Sequence, residues 1–140
     1  YYNAPFDIIG ICVSEKTDKD LQDKVEYINN VSKYFDLNID VKFEDIWVER
    51  DFVGNGYNIP DKETRKYIYE MAENEAIILD PCYTGKVYRG LSELIKTGKI
   101  KKGSTVLFLH TGGSPGIYSE EHLNEMQKEI WNEEKNVFTL

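Results

Sequence analysis

Two short stretches of this chain gather side chains able to do chemistry. Residues 80–86, D-P-C-Y-T-G-K, and residues 110–116, H-T-G-G-S-P-G, together supply a phenol, two threonine hydroxyls, an imidazole and closely spaced glycines. Glycines let backbone approach a planar or phosphorylated ligand without a Cβ in the way. Successive N–H groups in such a turn can also form an anion nest. A plainer reading stands beside this one. Threonine, glycine and proline are ordinary turn residues after a strand, and His110, following V-L-F-L, reads equally as a hydrogen-bonded core residue with no carboxylate marked by local spacing. Tyr57 and Tyr83 could be core aromatics. The lysines read as solvated charges, none in an apolar context that would lower its pKa towards a Schiff-base role.

The elements that position these loops follow from periodicity. Residues 76–79, A-I-I-L, have the length of a buried strand, and Asp80 and Pro81 break its ladder. Thr84 is the expected N-cap of a helix over about 85–97, ended by Gly98. Tyr83 and Thr84 then sit at the carboxyl end of a strand, where open α/β sheets hold ligands. Residues 6–13, F-D-I-I-G-I-C-V, predict a central strand in which Gly10 marks a close backbone approach. Residues 17–35 carry a helical stripe of Leu21, Val25, Ile28 and Val31 or Ser32, with Asp18 and Asp20 at its start. Residues 39–52 suggest extended structure at an edge or in a long loop.

Gly54 to Pro60, G-N-G-Y-N-I-P, reads as loop leading into a helix with Asp61 and Glu63 in its first turn and Ile68, Met71 and Ala72 along it. It lacks the third glycine and the buried strand of a dinucleotide fingerprint. Residues 104–109 predict a second buried strand and residues 119–134 a closing helix with Leu123, Met126 and Ile130 on one face. The alternation of strands and helices predicts an α/β fold, an open parallel sheet with helices on both faces and right-handed crossovers.

Composition narrows the partners. The 140 residues suit one domain or part of one. A formal charge of -8 and an isoelectric point near 4.8 argue against nucleic acid and anionic membrane. No apolar run reaches the ~18–20 residues of a membrane span, and no signal peptide opens the chain, so a cytoplasmic location is expected. Cys12 and Cys82 have no metal-ligand spacing and read as small buried apolar residues. The chain opens at Tyr1 and enters an apolar strand within a few residues. It reads as residues 1–140 of a single domain belonging to the carboxyl-terminal part of something longer.

Three motifs, residues 54–60, residues 79–86 (L-D-P-C-Y-T-G-K) and residues 106–116 (V-L-F-L-H-T-G-G-S-P-G), resemble in order and approximate spacing the carboxyl-terminal half of the D-cysteine desulfhydrase and 1-aminocyclopropane-1-carboxylate deaminase family. That family consists of pyridoxal-phosphate enzymes of the tryptophan-synthase-β type, of fold type II. The resemblance covers about residues 46–116. It implies that Tyr83 is an active-site tyrosine over the cofactor and Tyr57 a second one. It further implies that Thr111 stands at the pyridine nitrogen, with Gly112 and Gly113 as backbone beside the ring and Thr84 in the same cofactor-binding set. Deaminase-type members usually carry glutamate at the position of Thr84 and tend to carry leucine at that of Thr111. Both differences point to the desulfhydrase branch. A glutamate can keep the pyridine nitrogen protonated and deepen the electron sink that opening a cyclopropane needs, whereas a threonine hydroxyl only shares a hydrogen bond.

The sequence departs from the family in two ways. The Schiff-base lysine and main phosphate-binding glycine loop belong to the family's amino-terminal half, and neither motif is found here. Cys82 also replaces a common aliphatic residue. The expectation is a part of a pyridoxal-phosphate-dependent lyase that converts D-cysteine to pyruvate, hydrogen sulfide and ammonia. A 1-aminocyclopropane-1-carboxylate deaminase is the alternative within the family. A non-catalytic module binding a small anion at residues 112–116 is the alternative outside it. The amino-terminal part of the same enzyme is the expected partner and a homodimer the expected full-length state. Alone, the chain is expected to be poorly stable and inactive, with Lys86, just inside a helix start, a structural charge.

Overall fold

A computed structural model describes residues 4–131. Two short strands, β1 (Ile9–Ile11) and β2 (Trp47–Glu49), pair in parallel, with Gly10 opposite Val48. Parallel strands need a crossover, and helix α1 (Asp18–Tyr34) provides it. Thr17 and Asp20 start α1 with a reciprocal capping box: Asp20 N–H donates to Thr17 Oγ1 (3.2 Å) and Thr17 N–H to Asp20 Oδ2 (2.7 Å). Of the expected stripe, Val25 and Ser32 are buried while Ile28 is exposed. Asn29 and Ser32 bind the returning chain, each donating to and accepting from the backbone of Val41 and Ile39 respectively. The segment expected at an edge or in a loop thus contains the one partner strand of β1 among the described residues.

Three helices follow, α2 (Lys62–Glu75), α3 (Thr84–Lys96) and α4 (Glu120–Ile130). Ile68 and Met71 from α2, Leu79 and Met126 form a buried core flanked by Tyr69, Tyr88, Phe108 and Ile117. Arg65 locks α2 to α4 through a two-pronged pair with Glu129, at 2.8 and 2.7 Å, and Tyr69 donates to the same carboxylate at 2.8 Å. Asp61 caps α2 by accepting from Glu63 N–H, and its other oxygen receives Arg89 of α3 at 2.6 Å.

Several sequence expectations are corrected. The strand expected over 6–13 is confined to Ile9–Ile11, with Phe6 and Ile8 exposed. Residues 76–79 and 104–109 belong to no ladder among the described residues, and Ala76 is the left-handed C-cap of α2. An apolar run states a capacity for burial, while a strand needs a neighbour to pair with. Leu79 reaches the core while Ile77 and Ile78 face outward, and Phe108 packs inward between exposed Leu107 and Leu109. Gly10 is not at a tight approach, since an added Cβ would lie 3.5 Å from Val48. Gly85 is at a tight approach, where a Cβ would fall 2.6 Å from Asp80 O. The last residues of the expected 119–134 helix lie outside the described residues.

Candidate active site

The site is built on one carboxylate. Asp80 is 1 % exposed and accepts four hydrogen bonds. Its Oδ2 receives the backbone N–H groups of Cys82 (2.8 Å) and Tyr83 (2.7 Å); its Oδ1 receives Thr84 N–H (2.7 Å) and the Thr84 hydroxyl (2.6 Å). The backbone donors lead into the first turn of α3, where helical N–H groups lack partners and a negative charge is favoured. Asp80 therefore does the capping expected of Thr84. Tyr83 occupies the N-cap position and Thr84 is the first helical residue, because a carboxylate just upstream offers two oxygens to these donors where a hydroxyl offers one.

The same turn sets out the two phenols. Tyr83 and Tyr57 hydrogen-bond through their hydroxyls, with ring centroids 5.9 Å apart and planes at 70°. Both rings are accessible, Tyr57 at 53 % and Tyr83 at 40 %. The bond to Tyr83, followed by partial desolvation, pushes the Tyr57 phenol up to about 12, which keeps it protonated throughout the neutral range.

The second loop meets the first at Asp80. Gly113 adopts φ 98°, and a Cβ there would lie 2.5 Å from the Asp80 carboxylate carbon. Only glycine lets this turn pass over the carboxylate. His110 Nδ1 accepts from Gly112 N–H (3.2 Å), so Nε2 carries the proton and donates to Ile78 O (3.1 Å). His110 is hydrogen-bonded as one reading of the sequence held, but it is exposed rather than in the core. Thr111 is exposed beside it. Tyr57 thus stands with Tyr83, and Gly113 against Asp80; the Thr84 hydroxyl is buried and engaged, since it also accepts from Asp80 N–H at 2.9 Å.

Two further residues have surroundings that the sequence reading did not anticipate. Lys86 is 0 % exposed; Nζ donates to Gly56 O (2.6 Å) and Val13 O (3.3 Å). The structural charge expected just inside the helix start is thus a buried one, and the expectation that no lysine sits where its pKa would fall is corrected: burial pushes the ammonium below the usual lysine range. His122 on α4 is also 0 % exposed, with Nε2 3.2 Å from both Asn58 O and Asn58 Oδ1. Its signal was available in sequence, since it precedes buried Met126 by one helical turn. A cleft of about 510 Å³ lies elsewhere, lined by residues including Glu49, Phe52, Tyr67, Arg89 and Lys99. None of the candidate site residues lines it.

The family model described as "Pyridoxal-phosphate dependent enzyme" matches residues 14–112. A protein of Cryptococcus neoformans named as a probable 1-aminocyclopropane-1-carboxylate deaminase is 36% identical over 110 residues, covering 79% of this chain and 32% of that protein. A 1-aminocyclopropane-1-carboxylate deaminase of Bradyrhizobium sp. strain ORS 278 is 33% identical over 119 residues, covering 84% and 35%. The chain spans about a third of the length of these curated relatives.

Proposed function

The chain belongs to the pyridoxal-phosphate dependent enzyme family, of fold type II, and we propose that it is the carboxyl-terminal part of a D-cysteine desulfhydrase-like lyase. In this reading it contributes the tyrosine-bearing, pyridine-facing wall of the active site. Cβ-free backbone at Gly112 and Gly113 and the exposed phenols of Tyr57 and Tyr83 suit a flat aromatic group. Pyridoxal phosphate, when bound, supplies the electron sink for a carbanion at the amino acid's α-carbon.

The chain's own residues orient and move protons. With the cofactor bound, Thr111 would offer it one hydroxyl hydrogen bond, as the resemblance implies. Gly112 and Gly113 would let backbone approach the cofactor, and Thr84 would support the wall through Asp80. Tyr57 and Tyr83 share a hydrogen bond and Tyr57 stays protonated near pH 7, so one phenol can donate to a departing thiolate while the other supports it. The overall reaction takes D-cysteine and water to pyruvate, hydrogen sulfide and ammonia.

One observation carries the choice of reaction. Thr84 presents a hydroxyl committed to Asp80 at the position where deaminase-type members of the resembling family usually carry a glutamate, so no carboxylate is available there to hold the pyridine nitrogen protonated. A second reading, 1-aminocyclopropane-1-carboxylate deaminase, draws support from the names of the relatives. The anion-binding module is disfavoured by the turn itself. Gly112 N–H is taken by His110 and Gly116 N–H by Gly113 O, while the Asp80 carboxylate lies against Gly113 and repels an anion. The test is hydrosulfide and pyruvate release from D-cysteine by the full-length enzyme carrying this chain, with and without pyridoxal phosphate. Equal amounts of both products, dependent on the cofactor, are expected; no hydrosulfide from the cofactor-loaded enzyme would overturn the reading.

A further inference from the structure

Tyr57 is held from both sides by buried side chains of two different helices. On its amino-terminal side, Gly56 O accepts from Lys86 Nζ of α3 at 2.6 Å, and the same ammonium reaches Val13 O, just beyond β1, at 3.3 Å. On its carboxyl-terminal side, Asn58 O lies 3.2 Å from His122 Nε2 of α4. Both side chains are 0 % exposed. Their polar atoms sit where desolvation is costly, and neither has a charged partner among the described ion pairs. The loop turns sharply on either side of Tyr57, since Gly56 and Asn58 both adopt positive φ, 134° and 55°, a region that glycine enters freely and asparagine more readily than other residues.

The histidine's protonation follows from its contacts. A backbone carbonyl can only accept, so Nε2 carries the hydrogen. Nδ1 is then a lone pair, buried and without a hydrogen-bond partner among the described residues. A proton added there would create a buried donor with nothing to receive it. Burial acts in the same direction, holding the imidazole below its usual range. His122 therefore works as a fixed single donor.

We propose that Lys86 and His122 are positioning residues that clamp the peptide groups on either side of Tyr57, so that its hydroxyl is presented to Tyr83 and to the reacting amino acid. Tyr57 and Tyr83 come from a loop and a helix start and share no backbone ladder. Lys86 shares α3 with the turn that presents Tyr83, so it couples the two phenols: the helix that starts at one grips the loop that carries the other. The inference rests on the active-site reading of Tyr57, but the clamp can be read without turnover.

The experiment uses the full-length enzyme with ¹³Cζ-labelled tyrosine, the Tyr57 resonance being assigned by Tyr57→Phe. Lys86→Met and His122→Leu are each expected to move the Tyr57 resonance and bring its ionisation down towards the ordinary tyrosine value of about 10. His122→Gln, whose amide can still donate to Asn58 O, is expected to restore most of both. A displaced phenol is expected to lower kcat by about 100-fold with KM changed by less than about threefold. An unmoved Tyr57 signal and titration in both folded variants would overturn the clamp, whatever their activity. Shifted Tyr57 signals in an enzyme that releases no hydrosulfide would leave the clamp standing and overturn the lyase reading instead. Wild-type enzyme with ¹⁵N-labelled histidine gives an arm independent of variant folding. His122 should be the neutral Nε2–H form at pH 7, and an Nδ1–H form would leave Asn58 O without its donor and contradict the proposal.

Discussion

Asp80 and Thr84 hold each other in both directions: Asp80 N–H donates to Thr84 Oγ1 at 2.9 Å, while the Thr84 hydroxyl and N–H donate to Asp80 Oδ1 at 2.6 and 2.7 Å. The exchange closes the turn that starts α3 and fixes where Tyr83 emerges. Thr84→Val keeps the shape and removes the hydroxyl, leaving a buried N–H without its acceptor and a carboxylate short of one donor. The expected loss is about 1–3 kcal/mol of unfolding free energy by denaturant titration. Thr84→Ser should recover most of it.

The phenol pair gives a spectroscopic prediction. In Tyr83→Phe the hydrogen bond that is the largest cause of the raised Tyr57 ionisation is gone, so Tyr57 should titrate near the ordinary value of about 10 rather than about 12. The direction follows from the cause, since a bond that stabilises the neutral phenol delays its loss of a proton. NMR titration of Tyr57 checks it, and a value left near that of the wild type would show that burial dominates.

The Arg65–Glu129 pair sets an acid limit on stability. The hydrogen bonds from Arg65, more than any other influence, hold the Glu129 carboxyl below the usual glutamate range. A lowered folded-state value means the contribution is fully present above the unfolded value of about 4.3 and is lost as pH falls through the folded value. Glu129→Ala leaves an arginine side chain that is 5% exposed with only the longer pair to Glu125, at 3.7 Å, and should cost about 3 kcal/mol at pH 7. The difference from wild type should shrink towards pH 3; a gap that stays constant would contradict the electrostatic account.

Lys86 is the lysine within the motifs, yet its ammonium is enclosed and committed to two carbonyls. Incubating the isolated chain with pyridoxal phosphate and then borohydride should leave Lys86 unmodified by peptide mass mapping. Stoichiometric reduction onto Lys86 together with D-cysteine turnover would show that this chain is a complete catalyst by itself.

These residues also show what a sequence can and cannot disclose. The helices were legible because their information is local: Thr17 and Asp20 write a capping box within four residues, and Asp61 marks the start of α2. The phenols and the glycine turn were legible as chemistry by residue type. Residues 76–79 and 104–109 misled because an apolar run does not name its pairing partner. Asp80 read as a strand breaker, since its four donors arrive only once the turn has formed. The burial of Lys86 went unread because its partners stand 30 and 73 residues away and burial brought about by distant loops leaves no periodic trace, while His122 lay on the helical stripe with a partner 64 residues away.

The measurement closest to the central claim compares two substrates on the full-length, pyridoxal-phosphate-loaded enzyme. Initial rates of hydrosulfide release from D-cysteine are set against rates of ammonia release from 1-aminocyclopropane-1-carboxylate. With a threonine at position 84 and another at 111, kcat/KM for D-cysteine should exceed that for the cyclopropane by at least about tenfold, a difference of about 1.4 kcal/mol between the two transition states. Equal or greater kcat/KM for the cyclopropane amino acid would contradict the account.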